Sequence, residues 1–115
     1  MTSKILAPEI YRQRLVVEGY CKDKISAKMI SDYLSELGEE LGMKVLLEPM
    51  THKSSKYGWA GWVHWESSGT HVYAWDEPTP FITCDIYTCK RFDVLKAVEF
   101  TKEFFGMVEV SFRKV

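Results

Sequence analysis

The side chains of this sequence with most capacity for covalent chemistry are two adjacent hydroxyls, Ser67 and Ser68, followed by Gly69, and a thiol at Cys89 shortly after Asp85. A serine hydroxyl is a weak nucleophile until something activates it or holds its target. By itself a Ser-Ser-Gly run is ordinary hairpin-turn chemistry, and an isolated cysteine is a small apolar side chain with a weak donor. The chain has 3 cysteines, Cys21, Cys84 and Cys89, and its start lacks the apolar run of an export signal, so free thiols are expected. Cys84 and Cys89 are five apart on one expected strand, which turns them to opposite faces, so they form neither a disulfide nor a metal pair. His52, His64 and His71 have no ligand spacing, and no metal is expected.

These groups must be positioned by the stretch from Tyr57 to Cys89, which reads as three strands, roughly 59–66, 70–75 and 81–89. A turn at Ser-Ser-Gly joins the first two, and an acidic, proline-containing loop joins the second pair. Earlier in the chain, residues 12–20 read as a strand with Leu15 and Val17 on one face and Arg14, Val16 and Glu18 on the other. Asp23 or Ser26 caps a helix whose apolar positions, Ile25, Met29, Ile30, Tyr33, Leu34, Leu37 and Leu41, recur at helical spacing up to Gly42. Residues 44–50 follow as a strand, then a polar loop from His52. Asp93 is the expected cap of a second helix ending at Gly106, and 107–114 alternate as a last strand, with Val108, Val110 and Phe112 on one side.

The order is β-α-β-β-β-β-α-β, and 115 residues suffice for one domain, taken as 1–115. An α+β two-layer sandwich, with both helices on one sheet face, is the economical way to bury these patterns. With 46% hydrophobic residues and a net charge of −1, the chain has the composition of a globular protein and lacks the basic excess that nucleic acid requires. No apolar run approaches a membrane span, and a cytoplasmic location is expected. In the strand over 81–89, Ile82, Cys84, Ile86 and Thr88 suit a helix-covered core. The other face is Phe81, Thr83, Asp85, Tyr87 and Cys89, a mixture suited to neither a dry core nor open water. A homodimer packed sheet to sheet through that face is the expectation.

The pattern Tyr57-Gly58, a strand into Ser68, Trp75 with Glu77 after it, then Asp85-Ile86-Tyr87-Thr88-Cys89, resembles the short prokaryotic S-adenosylmethionine decarboxylases, and the flanking elements fit that family's order. The resemblance implies an unusual cofactor, a pyruvoyl group made from the chain itself. A serine attacks the carbonyl before it, the resulting ester eliminates, and the chain is cut. The new carbonyl condenses with the substrate amine and takes up the electrons released as carbon dioxide leaves. The product serves polyamine (spermidine) synthesis. Counted from Tyr57-Gly58 or back from Trp75, the self-cutting serine falls on Ser68, and Cys89 matches the acid that reprotonates the α-carbon. The dipeptide Glu66-Ser67 offers a second register, with Ser67 as nucleophile and His71 four residues on.

Three positions depart from the family pattern. Ser67 stands where a glutamate is expected, Ala60 where a hydroxyl is, and Tyr73 where a histidine is. In the family that hydroxyl and that histidine assist self-processing. Alanine has no hydroxyl, and a phenol is a poor base at neutral pH, so self-processing is expected to be slow or absent. Under the resemblance Glu18 and Glu77 would hold a ribose or a cationic substrate, and Trp75, with Trp59, Trp62, Trp65 and Tyr73, would stack on an adenine or shield a sulfonium. Surface charge and packing between sheets are the plain alternatives for these residues. Three functions therefore stay open: an impaired member of the family, an active decarboxylase of S-adenosylmethionine or a related amino acid using Ser68 and Cys89, and a ligand-binding or regulatory subunit beside an active paralogue.

Overall fold

The computed structural model describes residues 1–115 and contains six strands and two helices in the expected order. They are β1 (Gln13–Cys21), α1 (Ala27–Leu41), β2 (Val45–Lys53), β3 (Trp59–Trp65), β4 (Ser68–Trp75), β5 (Phe81–Thr88), α2 (Val94–Phe105) and β6 (Met107–Lys114). The strands form one antiparallel sheet in the order β2-β3-β4-β5-β1-β6. Strand β1 is inserted between β5 and β6, so the first and last strands lie together at one edge of the sheet while the β3–β4–β5 meander stays contiguous.

Both helices cover one face. α1 lies over β2 and β3, α2 over β1 and β6, and the two helices also touch each other. Period-two burial explains the sheet side of the core: Leu15 and Val17 of β1, Val63 and Trp65 of β3, Val72 of β4, and Ile82, Cys84 and Ile86 of β5 are all buried. Ile30, Tyr33, Leu34 and Leu37 of α1 meet them, with Ala97, Val98 and Phe105 of α2. The Tyr33 hydroxyl donates to Thr101 Oγ1 at 2.7 Å, and Thr101 in turn donates to the Ala97 carbonyl at 2.8 Å, which ties the helices together inside the core. Ser26, not Asp23, caps α1, accepting from the Met29 amide at 3.2 Å. Asp93 caps α2, accepting from the Lys96 amide at 3.2 Å.

Three local features differ from the sequence expectation. β2 runs on through His52 and Lys53, because pairing with Ala60 and Trp59 outweighs the polar composition there. A bulge where β6 meets Tyr20 and Cys21 breaks the even alternation of β6, so Met107 is buried while Val108 is 61% exposed. The connection between β3 and β4 is a two-residue turn, Glu66-Ser67, with Trp65 paired to Ser68. Ser68 is thus already the first residue of a strand. Neither Glu66 nor Ser67 has a positive φ, so the turn is not of the kind that matches strand twist, and Ser68 takes up the mismatch at φ 141°. Gly69 is required beside it, since a Cβ there would lie 2.3 Å from the Val63 carbonyl oxygen.

Candidate active site

The pairing of Ser68 with Thr88 brings the end of β5 alongside the β3–β4 turn. Just past that pair, the Cys89 amide donates to the Ser67 carbonyl at 2.9 Å, and the Cys89 thiol reaches the same oxygen at 3.3 Å. Two donors thus converge on the carbonyl oxygen of the Ser67–Ser68 peptide bond. That is the arrangement that stabilises an oxyanion when a nucleophile adds to a carbonyl carbon. The residue that follows the bond, Ser68, carries a hydroxyl and sits in a backbone region costly for any side chain, about 1–3 kcal/mol by analogy with other strained positions.

Ser67 is placed differently. Its hydroxyl accepts a hydrogen bond from the buried Thr88 hydroxyl at 2.8 Å and donates to Met43 Sδ at 3.3 Å. Thr88 itself accepts from the Lys90 amide at 3.1 Å, and the Lys90 ammonium binds the Gly42 carbonyl at the end of α1. The two serines of the alternative registers are thus held differently. The Ser68 hydroxyl has none of these partners and follows the carbonyl that Cys89 holds, whereas the Ser67 hydroxyl is engaged by Thr88 and Met43.

Cys89 is the exposed thiol of the three. Burial pushes the other two up, Cys21 above its ordinary range and Cys84 to about 12, so both stay protonated and inert at neutral pH.

On the helix-free face a cleft of about 570 Å³ is bordered by Ser68, His71, Asp85, Arg14, Trp62 and Tyr87. Arg14 on β1 forks onto Asp85, Nε to Oδ1 at 3.0 Å and Nη2 to Oδ2 at 2.7 Å, so the carboxylate is held by a side chain of the neighbouring strand. His71 is paired across the sheet with Asp85 and belongs to this cleft, a placement that strand alternation from Ser67 did not reveal. Arg14 was equally hidden, because β1 reaches β5 only through a non-sequential pairing.

The remaining expected residues lie elsewhere. Tyr73 faces Ala60 across β3 and β4, five positions along β4 from Ser68, a separation of about 16 Å at the rise of a strand. These two border a separate hollow of about 220 Å³ with Tyr57, Trp59 and Trp75. Trp75 and Tyr20 each pack on Phe81, at ring distances of 5.7 and 5.1 Å, and Glu77 shares their hollow. Glu18 lies on the far side of Tyr20 and Phe81, 3.5 Å from the Arg113 guanidinium. The sheet thus carries Ser68 and Cys89 where β5 ends and an aromatic–carboxylate cluster where β5 begins. One chain does not bring them together. No cluster of three or more His, Cys, Asp or Glu is placed to hold a metal ion, and no helix is long and apolar enough to cross a membrane.

Residues 13–115 match the family model of S-adenosylmethionine decarboxylase. Among solved structures, the fold is similar to that of the adenosylmethionine decarboxylase from Aquifex aeolicus VF5, with a TM-score of 0.75 and 15% sequence identity over 92% of this chain and 89% of that one. A comparison with curated protein sequences found no match.

Proposed function

The chain belongs to the S-adenosylmethionine decarboxylase family, and from that premise we propose that it cuts itself slowly between Ser67 and Ser68, leaves a pyruvoyl group at position 68, and decarboxylates S-adenosylmethionine or a related amino acid. The observation that carries this reading is the pair of Cys89 donors on the Ser67 carbonyl oxygen. Addition of Ser68 Oγ to that carbonyl carbon moves negative charge onto the oxygen they hold. Collapse breaks the C–N bond and leaves Ser67 esterified to the Ser68 side chain. Loss of the Ser68 α-proton to a base then expels the Ser67 carboxylate, and water converts the remaining enamine to the ketone with release of ammonia. Strain at Ser68 favours these steps, because the cut releases the φ constraint.

The residues present fit the group so formed, since Cys89 stands at the new terminus and the Arg14–Asp85 cleft opens beside it. When in place, the pyruvoyl carbonyl supplies the electron sink for decarboxylation. Cys89 is then the proton donor, and the Arg14 fork holds Asp85 fixed at the cleft wall.

Slowness follows from Ala60 and Tyr73, which lack the hydroxyl and imidazole of the family pattern. Their distance from Ser68 within one chain also supports a homodimer through the free face. A second copy packed antiparallel would bring Tyr73, Trp75 and Glu77 of one chain over Ser68 and Cys89 of the other. Facing Ala60 and Tyr73 also favour a second reading, an uncut homologue that binds ligand beside an active paralogue.

Intact mass separates the two. On prolonged incubation the 13.4 kDa chain should give one fragment ending at Ser67 and another beginning at position 68 with a ketone that phenylhydrazine labels. A chain that stays whole and unlabelled would leave only the binding role.

A further inference from the structure

We propose that Thr88 is a positioning residue that selects which peptide bond of the turn is cut. The proposal rests on the self-cutting reading above. Two adjacent serines offer two bonds, Glu66–Ser67 and Ser67–Ser68, and similar hydroxyls to attack them. The difference lies in what β5 does to residue 67. Thr88 is fully buried, and its hydroxyl sits in a directed chain: the Lys90 amide donates to Thr88 Oγ1 at 3.1 Å, Thr88 donates to Ser67 Oγ at 2.8 Å, and Ser67 donates to Met43 Sδ at 3.3 Å. A direct bond from Thr88 to Met43 Sδ, at 3.9 Å, is the longer option.

Ser67 Oγ therefore has both its proton and an accepting lone pair engaged away from any carbonyl. The next residue of β5, Cys89, holds the Ser67 carbonyl from the other side. Between them Thr88 and Cys89 fix the side chain and the carbonyl of one residue, so the Ser67–Ser68 peptide plane is restrained from both sides. The preceding bond has no such hold on its carbonyl; the Glu66 amide is tied to Lys44 instead, at 2.8 Å.

Thr88→Val keeps the shape and the branch and removes the hydroxyl. Cutting before Ser68 should slow by about 10- to 100-fold, the scale on which small misplacements act. Fragments cut one residue earlier, before Ser67, should appear in the mass spectrum. Thr88→Ser should restore both the rate and the single site. Ser67→Ala breaks the same link from the other end, so it should slow the cut before Ser68 to a similar degree, and the double variant should be no slower than either single one. The Ser67 variant also decides the matter if Thr88→Val does not fold. A Thr88 that merely supports the core would lower the melting temperature while leaving rate and cut site unchanged in the folded protein. That result, or full-rate cutting by Ser67→Ala, overturns the proposal alone. A wild-type chain that never cuts overturns it together with the reading on which it rests.

Discussion

Cys21 and Cys84 are held in the core, where their thiols are pushed up by burial, while Cys89 is exposed with its sulfur on the Ser67 carbonyl. At this scale a single donor decides rate. Removing one donor from an oxyanion site costs about 10²–10³-fold when the donor is strong. A neutral thiol is weaker and the Cys89 amide survives substitution, so Cys89→Ala is expected to slow self-cutting by only about tenfold, followed by intact mass over time. The same variant should abolish decarboxylation in protein that has already been cut, because it removes the proposed proton donor. Restoring the missing assistants is the converse experiment. Ala60→Ser combined with Tyr73→His should accelerate cutting by at least about tenfold, the lower end of what a positioned acid–base group contributes, and an unchanged rate would show that those positions do not limit it.

The hairpin of β3 and β4 is the element in which stability and chemistry are opposed. Its two-residue turn lacks positive φ at Glu66 and Ser67, and Ser68 holds φ 141° in consequence. Glycine adopts that conformation freely. Ser68→Gly should therefore stabilise the fold by about 1 kcal/mol, a rise of several degrees in melting temperature, while eliminating the cut. Ser68→Ala should lose the cut without the gain. Equal melting temperatures for the two variants would mean that the strain is not real. β5 supplies the other half of the site, and its alternation does two jobs at once. Ile82, Cys84, Ile86 and Thr88 face the helices, and Thr88, last in that row, is the one whose hydroxyl reaches back to the turn.

For the molecule as a whole, the free sheet face and the buried titratable groups make separate predictions. Trp62→Glu, on β3 and bordering the Ser68 cleft, should convert the proposed dimer to monomer in sedimentation. A wild-type protein that sediments as a monomer would remove the composite site. The core predicts a pH limit. Tyr33 is raised well above its ordinary value and Cys84 to about 12, both chiefly by burial of the charged form. Raised folded values mean that the stabilising contribution is complete below the unfolded values, near 9 for Cys84 and 10 for Tyr33. It is lost as pH climbs through the folded ones, at about 1.4 kcal/mol per pH unit for each group. Thermal melts should be flat from neutral pH to about 9 and fall steeply above. Cys84→Ala should flatten the first part of that fall, between pH 9 and about 12.

How much of this was legible beforehand depended on the range of the interactions involved. Helix caps, the two faces of β5, the element order and the likeness to a self-cutting family are all written in local pattern: period two or 3.6, a capping side chain, a glycine stop, and the spacing of Tyr57-Gly58, Ser68 and Asp85 to Cys89. Those signals need only neighbours along the chain, and that is why Leu15, Val17, Ile82 and Ile86 were placed correctly. Pairings across the sheet decided the rest. Arg14 meets Asp85 because β1 is inserted beside β5, Thr88 meets Ser67 because the turn is two residues long, and Tyr73 is removed from Ser68 because an extended strand carries it about 16 Å away. What distinguishes the surroundings of the two neighbouring serines is of this second kind. Identical side chains differ only in what the folded backbone sets beside them.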